Sequence, residues 1–328
     1  MKALVLQEKN VWPALQEVPV PTPSEGEALV RISAAALNHR DIWIVKGMYP
    51  GIRYPVILGS DGAGYWEGRE VIINPGMNWG DDPRVQSKAF SILGLPANGT
   101  LAEYVLVPQQ QVYDKPPHLN MQEAAALPLA GLTAYRVLFT RCGLQPGEKV
   151  LISGVGGGVA LLACQMAIAA GAEVYVTSGS DEKIQRAIAL GARAGANYRK
   201  ADWPARLKEE AGGFDVIIDS AGGPGFPELL KLCRPAARIG VYGGTRGAIP
   251  ELSPQLLFWK QISILGSTMG SDEDFRQMLH FVNTHRLRPI VDKVFPLEEG
   301  PRAFERLDEG RQFGKVIVSV KPHPHKRF

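Results

Sequence analysis

Two textures of apolar and polar positions alternate along the chain. Over residues 1–120, short apolar runs (KALVL, EALVRISAAAL, EVIINPG, GTLAEYVLVP) are punctuated by proline and glycine, the pattern of an all-β domain of barrel or sandwich type. From residue 121 the pattern becomes strand–helix alternation. KVLISG, AEVYVTS, FDVIIDSAG, ARIGVYGG and ISILGS are separated by stretches with helical apolar spacing, as in a doubly wound parallel sheet. Beyond residue 286, KVFPL and GKVIVSV are short strands again. The expected class is α/β: a Rossmann doubly wound sheet over 121–286, inserted into a β-rich domain made of 1–120 and 287–328.

The junction most suggestive of chemistry is SGVGGGVALL at 153–162. It follows the apolar strand KVLI and runs into VALLACQMAIAAGA, which has helical spacing. Glycines remove Cβ atoms, and the helix start offers unpaired N–H groups and the positive end of its dipole, which together suit a phosphate. The strict G-x-G-x-x-G/A fingerprint is not met. Read from Gly154 its sixth position is Val159, and read so that Ala160 closes it, its first is Val155. A tight turn alone would also explain the glycines, but the flanking strand, the helix and the βαβ repeat favour a dinucleotide held at Gly156, Gly157, Gly158 and Val159.

The next strand argues for which dinucleotide. It ends in Thr177, Ser178, Gly179 and Ser180, with Lys183 one turn into a helix whose N-cap is expected at Ser180. Asp181 and Glu182 fall after the strand end, in the first helical turn. Hydroxyls and a cation suit a ribose 2′-phosphate, whereas a free 2′-OH wants an acidic residue at the strand end. NADPH is therefore expected rather than NADH, with a solvated helix lysine as the plainer reading of Lys183.

Composition narrows the field further. The 328 residues are 45% hydrophobic and 21% charged with net charge +3, the balance of a globular protein without the basic stripe of a nucleic-acid binder. No apolar run is long enough for a membrane span, and the start MKALVLQEKN lacks a signal-peptide layout. Cys142, Cys164 and Cys233 form no CxxC pair, which points to the cytoplasm. The tail KPHPHKRF reads as a solvated end, with metal binding by His323 and His325 as the alternative.

The stretches ALNHRDIWIVKGMYP (36–50), PVILGSDGAG (55–64), GTLAEYVLVP (99–108), AAALPLAGLTAYRVL (124–138), the glycine turn and FGKVIVSV (313–320) resemble the medium-chain dehydrogenase/reductase superfamily. The resemblance covers nearly the whole chain and implies a GroES-like catalytic domain joined to the Rossmann unit. Zinc-dependent members carry a Cys-x-x-Asp segment, a Gly-His-Glu segment and a third ligand near a Gly-x-Thr stretch. At the matching places stand Asn38 with Asp41, Gly59-Ser60-Asp61, and Leu129 shortly before Gly131-Leu132-Thr133. Leucine cannot coordinate a metal, and neutral Asn and Ser are poor zinc ligands, so no catalytic zinc is expected. The lobe INPGMNWGDDPRVQSKAFSILG (73–94) contains no cysteine where zinc-containing relatives have four, and GAGYWEGREVI (62–72) is shorter than the usual hairpin.

Asn-x-x-Asp followed by aromatics resembles the quinone oxidoreductase branch, which is NADPH-dependent. By that resemblance Lys183 and Tyr198 would hold the 2′-phosphate with Ser178 as hydroxyl donor, and Thr133, Gly243 and Lys315 would contact the cofactor. Strand packing is the competing reading of Tyr198, and helix capping that of Thr133. The expected arrangement lays NADPH across the turn with its nicotinamide facing a pocket beside Asn38, whose amide donates to the acceptor oxygen. Tyr49 is the candidate proton source, Trp43 an aromatic wall and Asp41 an orienting group. Turn closure (Asn38), a surface turn (Tyr49) and core packing (Trp43) are the plainer readings.

The expected activity is zinc-independent hydride transfer from NADPH to a quinone or an α,β-unsaturated carbonyl. A zinc-independent alcohol dehydrogenase or ketone–aldehyde reductase is the first alternative, and an NADPH-binding sensor with little turnover the second. The expected partners are a small carbonyl or quinone substrate and, by resemblance, a second copy of the chain paired at SILGSTMG (263–270), with no nucleic acid and no membrane.

Overall fold

The computed structural model describes residues 1–320, so His323 and His325 lie outside the described residues. Contacts divide the chain into two units, Met1–Ala130 with the chain from Ser271 on, and Gly131–Gly270. The segments 121–130 and 271–286, expected with the Rossmann sheet, thus belong to the first unit. The physical reason is packing: the helix Met121–Ala125 lies against the strands Glu27–Ala36 and Asp61–Trp66. The helix Asp272–His285 sets Phe275 4.9 Å from the ring of Tyr113 and accepts a hydrogen bond from Asn74 on Asp272, 2.8 Å.

In the first unit a seven-stranded sheet runs through the strands Val112–Asp114, Arg69–Ile73, Asp61–Trp66, Glu27–Ala36, Lys315–Ser319 and Val291–Pro296, and Tyr104–Pro108 adds to Glu27–Ala36. The long strand Glu27–Ala36 alternates half-buried and buried positions before ending in three buried alanines, so its far end is enclosed on both faces. Asp61–Trp66 and Arg69–Ile73 form a hairpin through Glu67 and Gly68, at φ 47° and 77°. That two-residue turn with both φ positive is the geometry that matches strand twist, and it accounts for the short 62–72 segment. Within 73–94, Gly76–Met77 pairs antiparallel with Ser91–Ile92.

The second unit is a six-stranded parallel sheet in the order Ala194–Asn197, Glu173–Ser178, Lys149–Ile152, Phe214–Asp219, Cys233–Val241, Ser263–Gly266. Its central strands are near-continuous apolar runs because helices cover both faces. Tyr175 and Phe214 meet edge-on beneath them, 5.4 Å apart. Chain order reverses at Lys149–Ile152, so the glycine turn leaves the carboxyl end of the strand at the switch point, where α/β sheets bind ligands. Among the described residues no helix is long and apolar enough to cross a membrane.

Candidate active site

Two groups of functional side chains emerge, one in each unit. In the first, Asn38 is the N-cap of the helix His39–Val45, and the Asp41 carboxylate accepts from its backbone N–H at 2.8 Å in the manner of a capping box. The strand Lys315–Ser319 pairs antiparallel with Glu27–Ala36, and Leu37 donates to the carbonyl of Val316 at 3.0 Å. This register carries Lys315 beside Asn38. Its Nζ donates to Asn38 Oδ1 at 2.6 Å and to Asp61 Oδ2 at 2.8 Å, while Asn38 Nδ2 donates to the same Asp61 oxygen at 2.9 Å. The second oxygen of Asp61 accepts from the backbone N–H of Leu129 at 2.8 Å.

Lys315 is 4% exposed and Asp61 fully buried. Desolvating such a pair costs several kcal/mol, which is why each charge is met by more than one hydrogen bond; removing one partner would cost about 3–5 kcal/mol. A second buried cation, Arg40, adjoins it. Arg40 Nη1 donates to Ser60 Oγ at 2.7 Å and to the carbonyl of Leu93 at 2.9 Å, and its guanidinium lies 5.3 Å from the ring centre of Tyr49. Burial pushes the Asp41 carboxyl up, against the opposing pull of Arg40, and among the described residues its Oδ1 has no hydrogen-bond partner.

Asn38, Asp41 and Lys315 are thus brought together. Trp43 and Tyr49 are half-buried, and among the described hydrogen bonds neither joins this cluster. Lys315, expected at the cofactor, has its ammonium on Asn38 and Asp61. Asp61 is the residue that sequence reasoning passed over, although one acid inside PVILGSDGAG was the signal for it.

In the second unit the glycine turn is tied to the neighbouring strand. The N–H of Val155 donates to the carbonyl of Thr177 at 2.7 Å, and that of Gly154 to the Thr177 hydroxyl at 3.1 Å. Gly156 has φ 138°, a conformation that side chains rarely adopt. A Cβ at Gly157 would meet nothing within 4 Å, so the backbone there faces open space. Gly157 caps the helix Gly158–Ala169, whose first N–H groups have no intrahelical acceptor. This is a cradle that a phosphate fits.

At the end of the next strand, Ser180 caps the helix Asp181–Ala189 by accepting from the N–H of Lys183 at 3.3 Å. The stem of Lys183 lies over Gly156, with Cδ 2.9 Å from where a Cβ would stand. The Tyr198 hydroxyl and Arg199 Nε close over Gly179 at 2.8 and 2.9 Å from its would-be Cβ. Tyr198 is 48% exposed, beyond the strand Ala194–Asn197, and is not strand packing. Ser178 Oγ donates to the carbonyl of Val155 at 3.1 Å and is buried, whereas Ser180 at the turn is half-buried. Asp181 accepts from Asn197 at 3.1 Å and pairs with Lys200 at 3.2 Å, and these bonds hold its carboxyl below the usual range. Gly243 sits where a Cβ would be 2.8 Å from the carbonyl of Ser220, and Thr133 places its hydroxyl 4.0 Å from the sulfur of Met269. Ser180 stands where the sequence placed it, as the helix N-cap at the strand end; Arg199 was not singled out by sequence, because it shows no spacing that distinguishes it from a surface residue.

The three cysteines are buried, and burial pushes each thiol up to about 12, so none supplies a thiolate near neutral pH. Among the described residues no group of three or more His, Cys, Asp or Glu could hold a metal ion.

The chain is similar to known dehydrogenases and oxidoreductases along most of its length. Residues 24–117 match the alcohol dehydrogenase GroES-like domain family, and residues 158–284 the zinc-binding dehydrogenase family. The chain is 33% identical to a zinc-type alcohol dehydrogenase-like protein of Leptosphaeria maculans, covering 93% of this chain and 94% of that one. It is 30% identical to the quinone oxidoreductase of Homo sapiens, over 92% of each. Among solved structures it is similar to an NAD-dependent alcohol dehydrogenase (TM-score 0.93, 37% identity, 98% of this chain and 100% of that one). It is also similar to the quinone oxidoreductase of Thermus thermophilus, solved alone and with NADPH (TM-score 0.83, 31% identity, 97% and 100%).

Proposed function

The chain belongs to the medium-chain dehydrogenase/reductase superfamily of nicotinamide-dependent oxidoreductases, and on that premise we propose that it is a metal-independent, NADPH-dependent reductase of quinones or α,β-unsaturated carbonyls. The observation that carries the reading is the Asn38–Asp61–Lys315 triangle. Where metal-dependent relatives place ligands, this chain has an amide already engaged by an ammonium, a buried serine held by Arg40, and a leucine that offers only its backbone N–H. That donor set does not fit a zinc ion.

Bound NADPH supplies a hydride to the β-carbon of a conjugated acceptor, or to a quinone. The electron pair displaced by that hydride collects on the acceptor oxygen, where it is spread over an enolate or hydroquinone anion. Among the described hydrogen bonds Asn38 Nδ2 commits one N–H to Asp61 and keeps the other, and that N–H stabilises the oxyanion as a preorganised donor. Tyr49, half-buried with the Arg40 guanidinium 5.3 Å from its ring centre, is the proposed source of the proton that completes the reduction, although it makes no described hydrogen bond to Asn38. A simple ketone lacks this delocalisation and leans harder on a Lewis acid, which this centre does not provide.

Support for NADPH comes from Lys183, Tyr198, Arg199 and the Ser180 hydroxyl around the turn at Gly179, with Asp181 withdrawn onto Asn197 and Lys200. The likeness to an NAD-dependent alcohol dehydrogenase favours a second reading, oxidation of an alcohol with NAD. One experiment separates the two. NADPH and NADH absorbance is followed with chelator-treated protein and a quinone, an enone or a ketone, and NAD reduction is followed with an alcohol. Consumption of NADPH by the conjugated acceptors alone is expected; turnover confined to NAD and the alcohol overturns the proposal.

We infer also that the chain forms a homodimer through the edge strand Ser263–Gly266. Among the described residues its outer edge has no strand neighbour in the sheet, Ile264 is exposed, and the adjacent helix Pro254–Lys260 presents Phe258 and Trp259, the latter 78% exposed. An apolar edge of this kind is ordinarily paired or covered.

A further inference from the structure

The hydrogen-bond chemistry of the buried triangle allows one assignment of the Asn38 amide. A lysine ammonium has only donors, so the Asn38 atom 2.6 Å from Lys315 Nζ is the oxygen. An ionised carboxylate only accepts, so the atom 2.9 Å from Asp61 Oδ2 is the nitrogen. Asp61 is fully buried and closes the triangle by accepting from Lys315 as well, at 2.8 Å. Flipping the amide would set N–H against N–H and oxygen against oxygen at both contacts.

We infer that Lys315 is the positioning residue of this centre: anchored on Asp61, its ammonium locks the Asn38 amide in one orientation and polarises it, so that the remaining Nδ2–H points to the acceptor oxygen as a strengthened donor. The inference deepens the proposed reduction of conjugated carbonyls and rests on it for its kinetic consequence, but the locked amide stands on geometry alone. A charged donor on the amide oxygen draws electron density from the nitrogen, which raises the acidity of its N–H. Lys315 therefore acts through Asn38.

The test is a double-mutant cycle with Lys315→Met and Asn38→Ala, read by kcat on a conjugated acceptor and by NADPH affinity from fluorescence. Loss of a preorganised oxyanion donor typically costs about 10²-fold in kcat, and Lys315→Met is expected to approach that figure with NADPH Kd changed less than about threefold. In the Asn38→Ala background the lysine substitution is expected to add less than about threefold, because the route through the amide is already gone. Losses that multiply, or an NADPH affinity that weakens in step with kcat, overturn the inference. Should Lys315→Met leave Asp61 too poorly paired to fold, Lys315→Arg enters the same cycle. It keeps the charge but displaces the donor, and its cost must likewise vanish without Asn38.

Selective nitrogen-15 labelling of asparagine reads the lock without turnover. The wild-type Asn38 side chain is expected to show two well-separated N–H signals in slow exchange, which broaden or converge in Lys315→Met. An unchanged pair overturns the inference whatever the activity. Wild-type protein inactive towards every conjugated acceptor would instead overturn the proposed function, leaving the amide spectrum to judge Lys315.

Discussion

Asp41 shows how a single side chain serves the site at a cost. Its carboxylate closes the first turn of the helix His39–Val45 from a fully buried position, and burial raises its pKa although Arg40 and Lys315 pull the other way. A carboxyl whose folded pKa exceeds its unfolded value carries no penalty below the unfolded pKa. The penalty develops as pH rises from there through the folded pKa, since the unfolded state then gives up its proton more readily. Asp41→Asn keeps an acceptor for the Asn38 N–H without the charge. It is expected to gain on the wild type as pH rises above the usual carboxylate range, a difference read by denaturant titrations at several pH values. A difference that does not change with pH would mean that the desolvation is balanced by Arg40. Asn38 and Asp41 could be associated from sequence because Asn-x-x-Asp is one helical turn; Lys315, 277 residues from Asn38, could not.

At the scale of elements, the tightest constraint is the crossing of two backbone segments beside the site. Gly99 donates to the carbonyl of Ile57 at 2.7 Å, and a Cβ there would stand 2.0 Å from the carbonyl oxygen of Gly59 and 2.6 Å from that of Leu58. Both obstacles are main chain in the segment that leads to Asp61, so neither can swing aside. Gly99→Ala is expected to destabilise by about 3 kcal/mol or more, with a thermal midpoint lowered accordingly. Gly225→Ala is the control, at φ −78° with nothing within 4 Å, and should be within about 0.5 kcal/mol of wild type. A Gly99→Ala protein as stable as the control would show that the crossing relaxes. The strands and helices that cradle the glycine turn were legible in the sequence, since apolar periodicity and capping residues are local. The close approach of Gly99 to Gly59 was not, because a glycine that admits another backbone looks the same in sequence as one that merely turns.

For the whole molecule, the proposed pairing at Ser263–Gly266 makes its own prediction. Trp259→Asp combined with Ile264→Lys places charge on the apolar helix and edge strand while touching no buried residue. Light scattering is expected to find twice the 35.6 kDa chain mass for wild type and the single-chain mass for the variant, with NADPH binding retained. An unchanged assembly, or a wild type already at the single-chain mass, would exclude this surface as the interface. The extent of the two units also emerged only at this scale. Apolar pattern placed the Rossmann strands but assigned 121–130 and 271–286 to them, whereas contacts with Glu27–Ala36, Asp61–Trp66 and Tyr113 draw these segments to the other unit.

Read alone, the sequence determined the parallel sheet, the glycine turn that opens a helix, and the hydroxyl- and lysine-bearing strand end, because each is encoded within a few consecutive residues, while the resemblance to zinc-dependent relatives implied that Asn, Ser and Leu stand at their ligand places. Only the tertiary structure decided what took the ligands' place. The register of Lys315–Ser319 on Glu27–Ala36 brings an ammonium to Asn38 and Asp61, and the packing of Tyr198 and Arg199 over Gly179 gathers hydroxyl and cation at the turn. Charges met in this way come from strands and loops far apart in the chain, and a carboxylate or an ammonium shows its partner only once both have left water.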